Sequence, residues 1–527
     1  MKSPIPCLCA TLALTIFFIF SVVAQPQAAF QSGTDNAAQW TTFSRPIKRV
    51  AVIGAGPSGL QAATHLLAAN LTVRLFEHAP APGGKWFYTD ETPVREQYPE
   101  TESPIPEKIP ENFPATQYYT EGEGSISLEE RWREHWNPRP MWSDLLANSP
   151  SEATKLPGIE YPPDAESPLF PPITSYATRV EAIRKSNASG SKTDTWTLTL
   201  RRLTRLREPN RLKAEWWEEE FDAVVVATGI YTKAKIPEIK GIGNWSKATE
   251  DGKYSIHHAQ SFRNPKRYAG KTVLIVGSFI SGTYISRSIA PYVDKLLISA
   301  RPNRHHDAYG LDIMLHLPTQ AEIVPEISSF EPLEHASVGI KAGNIQLVNG
   351  SAISGIDEII FATGYHTETF LPKLVNPQTL DSLHWTGHYI DDPTLAYAGL
   401  LDDPWRHGAY VGHGYASVWT GKARLPSRET MWREMRSGRY DFGMPLDILL
   451  QEGLRRLYIT WLNSESLELG GKLVFPQALE KREMWTYFVN AHWGKEYISH
   501  QDWVNFDNLP MSEWPRDGDL SRRVASW

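Results

Sequence analysis

The residues with the clearest chemical potential are three glycines between a strand pattern and a helix pattern. Gly54-Ala-Gly56-Pro-Ser-Gly59 follows a β-branched run, and Pro57 and Ser58 open a segment with helical spacing of apolar residues. Glycines in this context let backbone N–H groups approach a pyrophosphate at the positive end of a helix. Glu77, 23 residues after Gly54, is placed to accept a hydrogen bond from a ribose 2′-hydroxyl. An acid there disfavours a 2′-phosphate, so this motif predicts an FAD or NAD site rather than an NADP site.

A second glycine turn has an altered form. It reads Gly277-Ser-Phe279-Ile-Ser281-Gly282, with phenylalanine where a middle glycine would allow close approach of the backbone. Arg301, 24 residues after Gly277, stands where the first unit has its acid, and a guanidinium can hold a 2′-phosphate through two hydrogen bonds. The charge favours NADP over NAD at this second site. The alternative for Arg301 is a solvated arginine at a strand end.

Two β-α-β units must position these turns. The patterns predict the following elements: strands Lys48–Gly54 and Thr72–Glu77 around a helix Pro57–Asn70, and strands Lys271–Gly277 and Lys295–Ser299 around a helix Ser281–Ala290. Further strands are predicted at Asp194–Leu200, Phe221–Ala227 and Glu358–Ala362, with a charged surface hairpin between the first two. Seventeen of the 39 prolines lie between Pro80 and Pro172, which predicts an irregular excursion there.

Composition limits the chemistry. The chain has 527 residues and a net charge of −7, so it has no global reason to bind nucleic acid. Its two cysteines, Cys7 and Cys9, precede the fold, which excludes a disulfide, a thiolate nucleophile and a Cys-ligated metal later in the chain. A flavin disulfide reductase is disfavoured for the same reason. His305-His306-Asp307 is not expected to bind a metal, because consecutive residues rarely converge on one ion.

The ordered motifs resemble those of the flavin-containing monooxygenases. Beyond the two glycine turns, the matching segments are Gly83-Gly84-Lys-Trp86, Leu145-Leu-Ala-Asn148-Ser-Pro150, Ala227-Thr228-Gly229 and Phe361-Ala-Thr363-Gly364-Tyr365. The family's Phe-x-Gly-x-x-x-His-x-x-x-aromatic fingerprint is only half present, as His258 to Phe262, with Gly252 and Tyr254 at its first two positions. The resemblance implies these cofactor-binding residues: Gly54, Gly56, Pro57, Ser58, Gly59, Glu77, Gly84, Trp86, Thr228, Gly229, Gly277, Ser281, Gly282, Arg301, Thr363 and Gly364.

The resemblance also implies an α/β fold with two dinucleotide-binding, Rossmann-like domains, the NADP domain inserted in the FAD domain. We place the FAD-binding domain at 47–235, the NADP-binding domain at 236–344, and the second part of the FAD-binding domain with the C-terminal region at 345–527. In the family, the asparagine that matches Asn148 reaches the reactive edge of the flavin, where its amide donates and accepts hydrogen bonds without carrying charge. The alternative for Asn148 is a turn cap before Pro150.

The implied activity is a monooxygenase cycle. NADPH reduces FAD, the reduced flavin and O₂ form a C4a-hydroperoxide, and one oxygen atom passes to a small organic metabolite. Phe262 is not a Trp followed by Pro, which favours N- or S-oxygenation over the Baeyer–Villiger type. A flavin NAD(P)H oxidase that releases H₂O₂ is an alternative, because Phe279 could spoil the nicotinamide turn. A non-catalytic flavin-fold binding protein is another.

The first residues predict a secretory address. Residues 1–24 have the pattern of a signal peptide, with an apolar stretch from Ile5 to Val23 and small residues at Val22-Val23-Ala24, and residues 25–46 form a linker. The alternative is an uncleaved anchor that associates with a membrane, since about 20 apolar residues span a bilayer. Sequons at Asn70, Asn187, Asn244 and Asn349 are compatible with the endoplasmic-reticulum lumen or secretion.

Overall fold

A computed structural model describes most of the chain. The described residues are 39–94, 98–99, 108–145, 174–185, 194–207, 210–229, 231–250, 253–301, 316–334, 339–367, 370–371, 373–375, 382–385, 387–400, 406–436, 448–493 and 498–511. The predicted signal peptide, the candidate catalytic Asn148, the His305-His306-Asp307 run and the sequon at Asn187 lie outside them.

The first glycine turn lies on a seven-stranded sheet with a parallel centre. The strand Arg49–Ile53 pairs in parallel with Thr72–Phe76 on one side and Ala223–Val226 on the other. Val50 and Val52 bury their side chains in the core, as expected of a strand that has a parallel neighbour on each side. From edge to edge the strands are Leu383–His384, His388–Tyr389, Leu395–Tyr397, Ala223–Val226, Arg49–Ile53, Thr72–Phe76 and Thr174–Ser175.

The second glycine turn lies on a separate sheet of five parallel strands. In spatial order the strands are Ile256–His258, Glu358–Phe361, Thr272–Val276, Lys295–Ser299 and Glu322–Val324. Helix Ile280–Ile289 packs on this sheet through Ile285 and Ile289. One sheet with a parallel centre and one fully parallel sheet, each with a glycine turn, give the two-domain α/β fold predicted from the sequence.

The second sheet includes a strand that follows residue 344, where we placed the end of the NADP-binding domain. Strand Glu358–Phe361 pairs with Thr272–Val276 inside the second sheet. All four residues of this strand are buried, and the strands of the first sheet resume at Leu383–His384. Strands Tyr231–Ala234 and Tyr365–Thr367 pair antiparallel with each other at the two places where the chain passes from one unit to the other.

The charged hairpin predicted near residue 210 is part of a larger sheet. In spatial order its strands are Ala115–Tyr119, Arg211–Phe221, Trp196–Leu206 and Thr178–Lys185, all antiparallel. Alternate residues Leu212, Ala214 and Trp216 are buried, while the charged residues between them face outward. The proline-rich excursion contributes one strand here and the helix Leu128–Trp136.

Smaller elements complete the fold. Short strands occur at Thr249–Glu250, Lys253–Tyr254, Ile327–Phe330, Ile345–Leu347 and Ala352–Ile353. Helices follow at Ile242–Trp245, Arg406–Trp419, Arg428–Arg436, Ile448–Leu469, Leu479–Trp493 and His500–Asn508. Single 3₁₀ turns lie at Gly84–Trp86, Glu123–Ser125, Ala259–Ser261 and Pro265–Tyr268. In the part of the chain that the structure describes, no helix combines the length and apolar character needed to cross a bilayer.

Candidate active site

The fold itself requires the first and third glycines of the first turn. Gly54 has φ +107°, and a Cβ atom there would lie 2.5 Å from the carbonyl oxygen of Ala227. A Cβ atom on Gly59 would lie 2.0 Å from the carbonyl oxygen of Gly54. These two glycines bring helix Pro57–Ala68 directly against the strand end. No side chain caps this helix, so its first N–H groups point to the space beyond the sheet.

The middle glycine has no such role in the fold. Gly56 has φ −75° and ψ 177°, which any residue adopts. The nearest atom to a Cβ built on Gly56 would be the Cα of Gly84, at 3.7 Å. A glycine that the backbone does not require indicates close approach of a ligand.

The glycine pair at Gly83 and Gly84 packs on this turn. Gly83 N–H donates to the carbonyl of Ala55 at 2.9 Å, and Gly84 has φ +55°. A Cβ atom on Gly84 would lie 2.9 Å from the Cα of Gly56. Trp86, at the end of the same 3₁₀ turn, is 40% exposed, so its indole stands beside the turn in contact with solvent.

Glu77 stabilises the first glycine turn through hydrogen bonds to the main chain. Its carboxylate accepts hydrogen bonds from the N–H groups of Ala55, at 2.7 Å, and Ala79, at 2.9 Å. The residue is buried, and each carboxylate oxygen has a second lone pair left for a hydroxyl donor. Glu77 therefore lies at the strand end where the sequence placed it, with a bracing role in the turn that the spacing alone did not reveal.

The second turn repeats the geometry of the first. Gly277 also has φ +107°, and a Cβ atom there would lie 2.6 Å from the carbonyl oxygen of Ala362. A Cβ atom on Gly282 would lie 2.0 Å from the carbonyl oxygen of Gly277, and Ser281 is half-buried beside it. In each unit a Thr-Gly pair follows the adjacent strand, Thr228-Gly229 in the first and Thr363-Gly364 in the second. Both pairs have their glycine at positive φ.

Phe279 occupies the position that corresponds to Gly56. Its φ of −77° and ψ of −166° match those of Gly56 closely, so the side chain does not distort the turn. The phenyl ring is instead 51% exposed, at the N-terminus of helix Ile280–Ile289. The altered residue thus leaves the backbone of the second turn intact and adds bulk where a nucleotide would approach.

Arg301 follows the end of strand Lys295–Ser299. Ala300 corresponds to Glu77 by strand register, and Arg301 is the next residue. Its Nε lies 2.7 Å from Oε1 of Glu326, and both side chains are exposed. A 2′-phosphate would have to replace this ion pair, which a solvated arginine permits at low energetic cost.

A small pocket lies where the two units meet. It is lined by Lys85, Asn137–Pro140, Thr232, Gln260 and Tyr365. Lys85 belongs to the Gly-Gly-Lys-Trp turn, Thr232 follows the first Thr-Gly pair, and Tyr365 follows the second. The pocket therefore borders turns of both units.

The segment that leads to Asn148 docks on the second unit. The Trp142 ring packs edge-on against Phe262 with centroids 5.6 Å apart, and Ser143 N–H donates to the carbonyl of Arg263 at 3.2 Å. Ser288 on helix Ile280–Ile289 donates to Asp144 at 2.5 Å. The described residues up to Leu145 thus approach the junction of the two units.

Sequence reasoning missed Arg139 as a pocket residue. Helix Leu128–Trp136 begins at a capping box of Ser127 and Glu130 and ends at Asn137, whose φ of 46° turns the chain toward the pocket. Arg139 then stands between Pro138 and Pro140 with 9% of its surface exposed. Burial lowers the pKa of Arg139, and it also lowers the pKa of the neighbouring His78 well below its usual range. The signal in the sequence was a single arginine between two prolines shortly before Asn148.

These residues fit the two expected nucleotides. The first turn presents uncapped helix N–H groups beside Gly56, as an FAD pyrophosphate requires. The second turn presents the same backbone and a basic residue beyond the neighbouring strand, as NADP requires. Among the described residues, no group of three or more His, Cys, Asp or Glu side chains could hold a metal ion.

Comparisons with known proteins give the family. The sequence model described as pyridine nucleotide-disulphide oxidoreductase matches residues 48–303, a range that contains no cysteine. Flavin-containing monooxygenase iboF of Amanita muscaria (strain Koide BX008) is 32% identical over 89% of this chain and 99% of its own length. Flavin-containing monooxygenase ustF2 of Aspergillus flavus is 26% identical over 79% of this chain and 92% of its own length.

A solved structure agrees in fold. The S-allyl-L-cysteine S-oxygenase from Allium sativum aligns with a TM-score of 0.57 and 18% identity over 91% of this chain and 98% of that chain. The resemblance noted in the sequence is thereby confirmed, and FAD and NADP(H) are the cofactors. With two nucleotide turns of equal geometry and a relative matched along almost its whole length, this chain belongs to the flavin-containing monooxygenase family.

Proposed function

We propose that this chain is an NADPH-consuming monooxygenase that inserts one oxygen atom from O₂ into a small organic metabolite through a C4a-hydroperoxyflavin, with N- or S-oxygenation favoured. The observation that carries the proposal is the repeated glycine turn. Gly54 and Gly277 share φ +107° after parallel strands of two sheets, and one pocket borders turns of both units. If nucleotides bind at both turns, this pocket is where a nicotinamide would transfer electrons to a flavin.

In this proposal the residues of the chain bind and orient the two nucleotides and shield the flavin from water. FAD, when bound, supplies electron transfer and the activation of O₂. The uncapped N-terminus of helix Pro57–Ala68 binds its pyrophosphate, and Glu77 holds the ribose. Helix Ile280–Ile289 takes the second pyrophosphate, with Arg301 exchanging Glu326 for a 2′-phosphate. We assign to Asn148, which lies outside the described residues, the role of presenting a neutral amide at the reacting centre; Trp142 and Ser143, shortly before it in the sequence, contact the second unit.

Rapid mixing of the FAD-loaded protein tests the proposal. Under anaerobic conditions we expect NADPH to bleach the flavin faster than NADH does. Subsequent addition of O₂ should produce a transient band of a hydroperoxyflavin before the oxidised spectrum returns. If neither nicotinamide reduces the flavin, the monooxygenase assignment fails and a binding role replaces it.

One observation favours an oxidase as the second candidate. Phe279 adds bulk at the second turn, and a loosely held NADP⁺ would shield the flavin poorly. H₂O₂ measured against NADPH consumed separates the two functions. A ratio near one in the presence of every substrate offered would identify an oxidase, whereas a ratio that falls as oxygenated product appears would identify a monooxygenase.

The secretory location is a separate proposal. Asn70, Asn244 and Asn349 are exposed in the structure, and Asn70 lies in a turn with φ 59° after helix Pro57–Ala68. Exposed sequons are available for glycosylation in the endoplasmic-reticulum lumen. Endoglycosidase treatment of protein from a eukaryotic host should increase its electrophoretic mobility, and Asn70→Gln should remove part of that change. A chain without glycans would favour the membrane anchor with a cytosolic domain.

A further inference from the structure

Arg139 is a buried cation in the wall of the pocket between the two units. It is 9% exposed and lines the pocket together with Lys85, Gln260 and Tyr365. It lies outside the strands, helices and glycine turns of both nucleotide-binding units, in the proline-rich excursion that leads to Asn148.

No carboxylate of the described residues pairs with this guanidinium. Its Nη2 contacts Nε2 of His78, and its Nε has no hydrogen-bond partner. His78 is a neutral imidazole that offers this guanidinium a lone pair and no charge, since burial and the Arg139 charge keep its pKa well below the usual range. Glu77 lies near enough to raise the pKa of Arg139 by its charge, but no hydrogen bond or ion pair joins these two side chains.

The other buried arginines in the described ranges each lie against a carboxylate or donate to backbone carbonyl groups. Arg201 lies 2.6 Å from a carboxylate oxygen of Glu181, and Arg482 lies 2.7 Å from Asp507. Arg263 donates to five backbone carbonyl groups. A buried charge is costly unless it is paired, so the one guanidinium among these that has only a neutral imidazole points to an anion from outside the chain.

We propose that Arg139 binds a carboxylate of the substrate, so that the oxygenated metabolite is an organic acid with an oxidisable nitrogen or sulfur. A guanidinium holds a carboxylate through two parallel hydrogen bonds, and the nearby Lys85 adds positive charge. Both cofactor pyrophosphates already have a glycine turn and a helix N-terminus of their own. The inference deepens the proposed function and depends on it for the identity of the reaction.

Substitution of Arg139 leaves the ligand-free fold intact on this view. Arg139→Gln removes a buried, unpaired charge and keeps the main-chain carbonyl that accepts from Arg263. The thermal midpoint of the variant, without ligand, should therefore equal or exceed that of the wild type. Arg184→Gln is the matched control, since Arg184 is exposed and pairs with Glu218 on the distant hairpin sheet.

Calorimetry on the full-length, FAD-loaded protein without NADPH measures the acid site directly. Three acids and their neutral counterparts serve as probes: 3-(methylthio)propanoate with 3-(methylthio)propan-1-ol, L-methionine with L-methioninol, and 6-aminohexanoate with hexylamine. We expect at least one acid to bind the wild type about tenfold more tightly than its counterpart and to lose that preference in Arg139→Gln. Arg184→Gln should retain it. If no acid is preferred by the wild type, or if the preference survives Arg139→Gln, the inference is wrong.

If the anion that pairs with Arg139 belongs to a cofactor and not to the substrate, the variant gives a different result. FAD content or the KM for NADPH would then change in Arg139→Gln, which also overturns the inference. The proposed function fails separately, through a wild-type flavin that NADPH does not reduce. Calorimetric binding of the acid does not depend on that step.

Discussion

At the scale of single residues, Phe279 replaces the middle glycine of the second turn, and this replacement should have a measurable effect on NADPH binding. Its backbone matches that of Gly56, so Phe279→Gly relieves no strain and acts only by removing the ring from the approach to the second turn. We expect the KM for NADPH to fall about tenfold, which corresponds to about 1.4 kcal/mol. Position 279 is the N-cap of its helix, where glycine is a favoured residue, so the thermal midpoint should change little. Steady-state kinetics with varied NADPH checks the first effect and thermal unfolding the second.

Phe475→Gly is the control for this substitution. Phe475 is 75% exposed, and its carbonyl accepts from Tyr410 of helix Arg406–Trp419, which belongs to the first unit and not to the second turn. The KM for NADPH should not change in this variant. An unchanged KM in Phe279→Gly as well would show that the ring already lies outside the path of the nucleotide.

Gly56 permits the converse substitution in the first unit. Gly56→Ala places a Cβ atom 3.7 Å from the Cα of Gly84, an ordinary contact, at a φ of −75° that alanine adopts freely. The ligand-free protein should keep its thermal midpoint, while the Kd for FAD should rise at least about tenfold. Fluorescence titration of the apoprotein with FAD measures the Kd. Normal FAD affinity would mean that the pyrophosphate does not approach this residue.

At the scale of elements, the sequence predicted the strands and helices that carry the turns. Strands Arg49–Ile53 and Thr272–Val276 differ from the predicted bounds by one residue at each end, and strand Lys295–Ser299 has the predicted bounds. Such short β-branched runs end at a glycine whose positive φ no other residue adopts easily, and this makes both the element and its end readable.

Elements with buried charges were not readable in the same way. Helix Ile448–Leu469 contains Glu452, Arg455 and Arg456, which are buried and pair with one another. These charged residues interrupt the apolar stripe from which a long, packed helix is predicted in a sequence. Arg139 was missed for a similar reason, because the environment of one arginine between prolines depends on contacts far away in sequence. The residues brought together at the pocket come from segments of both units, and no local pattern contains that information.

The edge hairpin of the first sheet predicts a pH dependence. His384 and His388 face each other on paired strands, and burial lowers the pKa of each to about 3. Between that value and the ordinary 6.5, only the unfolded chain binds these protons. Stability should therefore fall as pH decreases below 6.5, by up to roughly 1.4 kcal/mol per pH unit for each ring.

Thermal midpoints from pH 7 to pH 5 check this dependence. His388→Gln should give a shallower slope, whatever its midpoint at pH 7. His500→Gln is the control, because His500 is exposed, and its slope should equal that of the wild type. Equal slopes for all three proteins would show that the buried pair does not govern acid stability.

At the scale of the whole molecule, the junction of the two units depends on Arg263. Its buried guanidinium donates to carbonyl groups from three separate segments of the chain: Thr89 and Glu91, Arg139, and Gln260 and Phe262. These bonds tie the excursion that carries Arg139 to the linker before the second sheet. The shape of the pocket therefore depends on hydrogen bonds from the Arg263 side chain to the main chain. The same hydrogen bonds hold the two units in their arrangement, so the two features are coupled.

Arg263→Lys tests this coupling. An ammonium group has three donors and cannot satisfy five carbonyl groups, and each carbonyl left buried without a partner costs roughly 1–3 kcal/mol. We expect a lower thermal midpoint, unchanged FAD content and a larger fraction of NADPH oxidation that ends as H₂O₂, because the wall of the pocket excludes water less well. Arg267→Lys, at a half-exposed arginine that pairs with Glu358, should leave this fraction unchanged. A lower midpoint with normal coupling in Arg263→Lys would reduce Arg263 to a stabilising residue without influence on the reaction.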